Sequence, residues 1–199
     1  MVGDLVSEPV RQSTDKVEAD IELDLLAKIR AGDRSAFEKL YRIYHPRLTR
    51  FLHTLMRRPT LVEEVLNDTM MVVWNRPDSF HGASKLSTWV FSIAYRKAMK
   101  ALRRYDAPVE DHDAENRAST DDNPEQAFGQ ARLHNLLREA MAELSPDHRG
   151  VVELTYFNDL SYREIADIMG CPVDTVKTRM FYARRHLKRR LDGELPDWI

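Results

Sequence analysis

Apolar residues recur three and four positions apart from Ile21 to Leu191, and no stretch alternates apolar with polar residues between turn pairs. This periodicity predicts an all-α chain. Ser35 with Glu38, Thr60 with Glu63 and Ser161 with Glu164 have capping-box spacing, in which hydroxyl and carboxylate satisfy free amides of a first turn. Helix starts are expected near 36, 61 and 162. Asn123-Pro124 and Ser145-Pro146 add starts near 124 and 146, where proline gives up only an N–H that has no helical partner. In the helix from 36, Phe37, Leu40, Tyr41, Tyr44 and Leu48 share core spacing, and Pro46 is expected to kink or split it.

The apolar pattern stops between Tyr105 and Asn123, where Asp106, Glu110, Asp111, Asp113, Glu115, Asp121 and Asp122 face a single Arg117. That composition suits a solvated acidic linker. It divides the chain into a flexible lead-in (1–20), an N-terminal helical domain (21–104), the linker (105–123), a C-terminal helical domain (124–192) and a tail (193–199). A long surface loop inside one domain is the alternative, although structureless loops beyond about 15 residues are uncommon in compact domains.

In the C-terminal domain, Tyr162 to Met169 form a short helix through Ile165, Ala166 and Met169, and Gly170 suits the left-handed residue that ends it. A second helix follows closely. At about 100° per residue, Val176, Met180, Ala183, Leu187 and Leu191 fall on one side. Asp174, Thr178, Phe181 and Arg185 fall opposite, flanked by Lys177 and Tyr182. This is helix-turn-helix spacing, whose second helix enters the major groove of DNA. From Lys177 to Arg190 the chain carries Lys177, Arg179, Arg184, Arg185, Lys188, Arg189 and Arg190, with no acid before Asp192. Any one of these cations also suits a solvated helix end that complements the macrodipole. Together they point to phosphates, with Lys177, Thr178, Phe181 and Tyr182 toward base edges and Arg179, Arg184 and Arg185 toward the backbone.

The helix from Ser87 to Arg104 puts Phe91, Ala94, Tyr95, Ala98 and Leu102 on one side and Trp89, Ile93, Arg96, Lys97, Lys100, Arg103 and Arg104 on the other. A basic stripe carrying a tryptophan suits single-stranded nucleic acid, since cations follow the backbone and a ring stacks on a base. The preceding loop, with Phe80, His81, Gly82, Ser84 and Lys85, has side chains that suit a pocket for an unstacked base. Periodicity alone is equally compatible with Trp89 and Phe80 as core residues. The helix 61–74 is expected to bury Leu61, Val65, Met70, Val72 and Val73, leaving Glu63, Glu64, Asn67 and Asp68 as a polar, acidic side that repels nucleic acid.

Composition narrows the function further. Formal net charge is −2, from 30 Lys and Arg against 32 Asp and Glu, so the basic stripes are local. Indiscriminate coating of nucleic acid is a poor fit. The one cysteine, Cys171, forms no internal disulfide, and no Cys/His spacing marks a zinc site. No apolar run approaches the roughly 18 residues of a membrane span, and the first 20 residues lack a signal-peptide core, so a cytoplasmic protein is expected. Scattered histidines, no glycine-rich phosphate loop and acids confined to solvated segments argue against an active site, a metal or a cofactor.

Four segments in order resemble the extracytoplasmic-function sigma factors, the compact class of sigma-70 transcription initiation subunits. AGDRSAFEKLYRIYHPRLTRF is similar to the family's opening helices, and VEEVLNDTMMVVW to its polymerase-binding helix. FHGASKLSTWVFSIAYRKAMKALRR resembles its −10 segment, and LSPDHRGVVELTYFNDLSYREIADIMGCPVDTVKTRMFYARRHL its −35-reading domain. The resemblance implies that Glu64, Asn67 and Asp68 meet a coiled coil of the largest catalytic subunit of core RNA polymerase. It implies −10 contacts by Phe80, His81, Ser84, Lys85, Leu86, Trp89, Arg96, Lys97 and Lys100. It implies −35 contacts by Asp174, Thr175, Lys177, Thr178, Arg179, Phe181, Tyr182, Arg184 and Arg185. An anti-sigma factor, often membrane-tethered, is the implied inhibitor, without insertion of this chain in the membrane. Tyr182 stands where relatives often have arginine and Leu86 where they often have an aromatic, so promoter preference is expected to differ. A stand-alone helix-turn-helix regulator is the alternative; it requires a dimer face, and residues 21–104 show no apolar seam for one.

Overall fold

A computed structural model describes the backbone of residues 8–56, 58–105 and 127–192, and the side chains of 17–56, 58–105 and 135–192. Eight α-helices run in order among the described residues: α1 (Glu8–Arg30), α2 (Arg34–Leu55), α3 (Pro59–Asn75), α4 (Leu86–Tyr105), α5 (Ala127–Glu143), α6 (Pro146–Tyr156), α7 (Tyr162–Met169) and α8 (Val173–Leu191). One 3₁₀ turn, Pro77–Ser79, precedes the loop into α4. The all-α expectation holds, with no strand among the described residues. The boundary placed at 105–123 lies almost wholly outside the described residues, as does the tail 193–199.

Local chemistry moves several helix starts. The cap of α2 is Asp33 rather than Ser35, because its carboxylate accepts from the amides of Ser35 and Ala36 at 2.8 and 3.1 Å. The start of α3 is set by Pro59 in its first turn, with no side-chain cap at all, so the Thr60 box is not formed. At α7 the box is complete: Ser161 N–H donates to Glu164 at 2.8 Å and Glu164 N–H donates to Ser161 Oγ. Gly170 ends α7 at φ 63°, a left-handed conformation glycine adopts without steric cost. Ser145 caps α6 just before Pro146, as expected. Pro46 lies inside α2, which runs through it unsplit, and α1 begins at Glu8, within the span expected as a lead-in.

The core of the N-terminal unit follows the α2 stripe of Leu40, Tyr44, Leu48, Phe51, Leu52 and Leu55. Phe51 meets Phe91 of α4 edge-on, with centroids 5.2 Å apart. A polar lock fastens α1 to this core. Tyr44 Oη donates to Glu22 at 2.8 Å, Arg47 lies 3.7 Å from the same carboxylate, and its guanidinium covers the rings of Tyr44 and Phe91. Burial raises the pKa of Glu22 above the usual glutamate range, against the lowering effect of Tyr44 and Arg47. In the C-terminal unit, Val151 and Leu154 of α6 and Ile165 of α7 pack on Val176, Met180 and Ala183 of α8.

The two units are not separate bodies in this structure. One hydrophobic core runs through both, with α6 against the end of α2 and α7 against α4. Arg149, only 7% exposed, sits where they meet. Its guanidinium donates to Thr54 O (2.7 Å) and Leu55 O (3.0 Å) at the end of α2, and to Ala142 O (3.2 Å) and Leu144 O (2.7 Å) at the end of α5. The last carbonyls of a helix lack intrahelical donors, so one side chain caps two helices from different units. Next to it Gly150 permits close approach: a Cβ there would lie 3.0 Å from Met169 and 3.2 Å from Leu55.

Glu153, one helical turn beyond Arg149, is also buried at the seam. Thr54 Oγ1 donates to its Oε2 at 3.2 Å, while its Oε1 has no partner. Desolvation raises its pKa, outweighing the hydrogen bond from Thr54 and the charge of Arg50. The folded chain therefore holds this proton more tightly than the unfolded one. Stability from Glu153 is complete below about pH 4.5 and is lost as pH rises through the raised folded value. Glu153→Gln is expected to raise the urea midpoint at pH 7 and to flatten its fall above about pH 4.5, measured by circular dichroism. In the same assay Ser161→Ala should lower the unfolding free energy by about 1 kcal/mol, the usual loss when an N-cap hydroxyl is removed.

Candidate nucleic-acid interface

Helix α8 presents the face that its periodicity foretells. Val176, Met180, Ala183 and Leu191 are buried, Leu187 packs against the core, and Asp174, Lys177, Thr178, Phe181, Tyr182, Arg184 and Arg185 are exposed. Phe181 and Tyr182 are 61% and 53% exposed and meet at 5.5 Å in an edge-on pair. Two large rings kept in water by neighbouring positions of one helix make a surface that gains by contact with bases or another apolar partner. Beside them lies a shallow depression of about 460 Å³, lined by His148, Asp174, Thr175, Thr178, Arg179 and Tyr182.

The cations of this face are already engaged to different degrees. Lys177 pairs with Asp174 at 3.0 Å, a surface contact worth little. Arg184 donates to Tyr156 Oη at 3.0 Å and stacks over the same ring. Arg179 is held more firmly, since it is half-buried and ion-paired with Asp147 of α6. Tyr95 Oη of α4 donates to the other oxygen of that carboxylate at 2.6 Å. Burial, followed by this carboxylate, pushes the Tyr95 phenol well above its ordinary pKa.

The second surface lies around α4 and the loop before it. Arg30, at the end of α1, pins that loop by donating to Phe80 O at 2.8 Å and by pairing with Asp78 at 3.3 Å. His81, Arg96 and Lys100 are exposed, and Ser84 is half-exposed. Lys97 pairs with Asp68 of α3 at 2.9 Å, and Lys85 pairs with Glu164 of α7 at 2.8 Å. Glu164 titrates below the usual glutamate range: burial opposes this, but hydrogen bonds from Lys85 and Ser161 prevail.

Three sequence expectations change here. Phe80 and Leu86, assigned to an unpaired strand, are buried at 6% and 3% exposure and present no surface in this arrangement. Trp89 is half-buried with its ring 5.6 Å from Phe80, and Ile93, placed on the polar side, is buried. On α3, Glu63, Glu64, Asn67 and Asp68 form the expected exposed acidic side, with Tyr41 Oη donating to Asn67. Arg149, Glu153, Asp147 and Arg30 escaped sequence reasoning. The available signal was Arg149 and Glu153, opposite charges one turn apart on either side of the apolar pair Val151 and Val152.

A helix-turn-helix with a cationic, aromatic-bearing second helix, joined to a second helical unit with its own basic stripe, defines a sequence-reading DNA-binding protein of two parts. Comparison with known proteins names the family. The model for sigma-70 region 2 matches residues 40–107 and that for sigma-70 region 4 matches 134–187, together more than half of the chain. The chain belongs to the sigma-70 family, in its extracytoplasmic-function class. It is 29% identical to RNA polymerase sigma factor YlaC of Bacillus subtilis, over 79% of this chain and 93% of that protein. It is 29% identical to ECF RNA polymerase sigma factor RpoE of Cereibacter sphaeroides, over 89% and 99%. Among solved structures it is similar to the sigma factor RpoE of Bartonella quintana, crystallised with the anti-sigma factor NepR, at 29% identity and TM-score 0.63 over 80% of this chain and 98% of that one. No described helix is long and apolar enough to cross a membrane, and no described cluster of His, Cys, Asp and Glu can hold a metal ion.

Proposed function

We propose that this sigma factor directs core RNA polymerase to its promoters by reading the −35 duplex with α8 and capturing unpaired −10 bases with α4 and its preceding loop. The observation that carries the reading is the exposed face of α8, where cations surround Phe181 and Tyr182. Arg184 and Arg185 position the helix on phosphates, while Lys177, Thr178, Phe181 and Tyr182 face base edges and thymine methyls. On the second surface His81, Ser84, Arg96 and Lys100 are open to a displaced strand, and Trp89 offers a ring edge beside them. Glu64, Asn67 and Asp68 supply the acidic side for a basic coiled coil of the polymerase. The chemistry belongs to the polymerase. The protein works in the cytoplasm, and an anti-sigma factor of the kind crystallised with the Bartonella relative restrains it.

The direct test is transcription in vitro, with purified chain and core polymerase on promoter-bearing DNA of the source genome. Specific initiation is expected, and its absence on every promoter would sink the reading. With the same holoenzyme, Arg185→Ala should weaken duplex binding about equally on all sequences and lower the salt slope by about 0.9. Phe181→Ala and Tyr182→Ala should instead change the preference among −35 sequences. The double substitution Arg96→Ala with Lys100→Ala should slow strand opening, read by permanganate reactivity, while leaving duplex binding at −35 intact.

A further inference from the structure

Helix α8 carries seven lysines and arginines and a single carboxylate, Asp174. That acid stands in the first turn, the part of a recognition helix that meets base edges. Asp174, Lys177, Thr178, Phe181 and Tyr182 follow the spacing i, i+3, i+4, i+7 and i+8, so they share one face of the helix, and all five are exposed.

A carboxylate on this face repels the phosphates that the surrounding cations attract, so it weakens binding unless a donor meets it. The major groove offers such donors on cytosine N4 and adenine N6. Lys177 Nζ lies 3.0 Å from Asp174 Oδ1, while Oδ2 accepts from no described residue and the side chain is 89% exposed. The other groups lining the same depression do not neutralise it. Arg179 is paired with Asp147, and burial, followed by the charge of Arg179, holds the pKa of His148 below the usual histidine range, so that ring is uncharged at neutral pH. The helix dipole also favours an acid in a first turn, yet it does so on any side of the helix and calls for no lysine beside it on the reading face.

We infer that Asp174 and Lys177 act as one reading unit that fixes the orientation of a −35 base pair, with the amino base under the carboxylate and the keto base under the ammonium. The inference rests on the function proposed above. In a Watson–Crick pair the amino donor and the keto acceptor lie about 2.9 Å apart on the major-groove edge, a hydrogen-bond length that matches the 3.0 Å between Lys177 Nζ and Asp174 Oδ1. C·G satisfies the unit best, since guanine gives a lysine both O6 and N7 whereas thymine gives O4 alone. The reversed pair, G·C, sets acceptors against the carboxylate. Phe181 is about 10 Å farther along the helix axis, so the aromatic rings meet other base pairs.

The test uses the full chain with core polymerase and promoter DNA randomised across the −35 element, sequenced after selection by binding. Wild type should favour C·G over G·C by about tenfold at one position. Asp174→Ala should flatten that position alone and tighten binding to unselected duplex, because a like charge has left the phosphates. Asp174→Asn should shift the same position toward adenine, whose N6 and N7 an amide matches as a bidentate pair. Lys177→Ala should flatten the same position and weaken binding to every duplex. Guanine replaced there by 7-deazaguanine should weaken wild type and leave Lys177→Ala unmoved. If Asp174→Ala lowers the urea midpoint but keeps the wild-type preference at every position, the acid only stabilises the helix start and the inference is overturned. Variants of Asp174 and Lys177 that flatten different positions would overturn the single reading unit. A wild-type holoenzyme that selects no −35 sequence at all would instead overturn the proposed −35 reading, and this inference with it.

Discussion

One buried guanidinium ties this molecule together. Arg149 satisfies the terminal carbonyls of α2 and α5, helices on opposite sides of the seam, from a position 93% removed from solvent. A buried polar group left unpaired costs about 1–3 kcal/mol, so a charged side chain is tolerated there only because acceptors surround it. The neighbouring Gly150 lets α6 come close enough for those bonds to form. The continuous apolar core follows from that approach.

Charge is segregated by helix. The chain is almost neutral overall, yet α8 carries seven cations and no acid from Lys177 to Arg190 while α3 exposes Glu63, Glu64 and Asp68. Opposite potentials on separate helices suit the two partners of the proposed function, DNA and a basic protein surface. Lys97 and Asp68 join the two surfaces directly, so the acidic side of α3 also neutralises a cation of α4.

The same seam gives the protein two uses for its carboxylates. Asp147 and Glu164 belong to the helix-turn-helix unit, yet their oxygens collect Tyr95 of α4 and Lys85 of the loop before it. Glu164 does this while completing the capping box that starts α7, so one residue serves both local folding and the contact between the units. Surface ion pairs alone contribute little, and it is the apolar packing of α7 on α4 that holds them in register.

How far the chain can be read without its fold differs from one residue to the next. The helical class, the Ser161–Glu164 box, the Gly170 turn and the exposed face of α8 follow from spacing and local chemistry, and the structure agrees with each. These depend on neighbours within about a turn of helix. Asp33 displaced Ser35 as the cap of α2, and Pro46 was accommodated inside it, because packing and competition between nearby caps decide what propensity only suggests. The burial of Phe80, Leu86 and Ile93, the pairing of Lys85 with Glu164, and the bridge made by Arg149 needed the tertiary structure. Each joins residues far apart in sequence, and periodicity carries the orientation of a side chain about its own helix but not which helix comes to lie against it. The sequence by itself determined the helices, their faces and the two basic stripes, whereas only the fold decided which helix packs against which, because that depends on contacts between residues far apart in the chain.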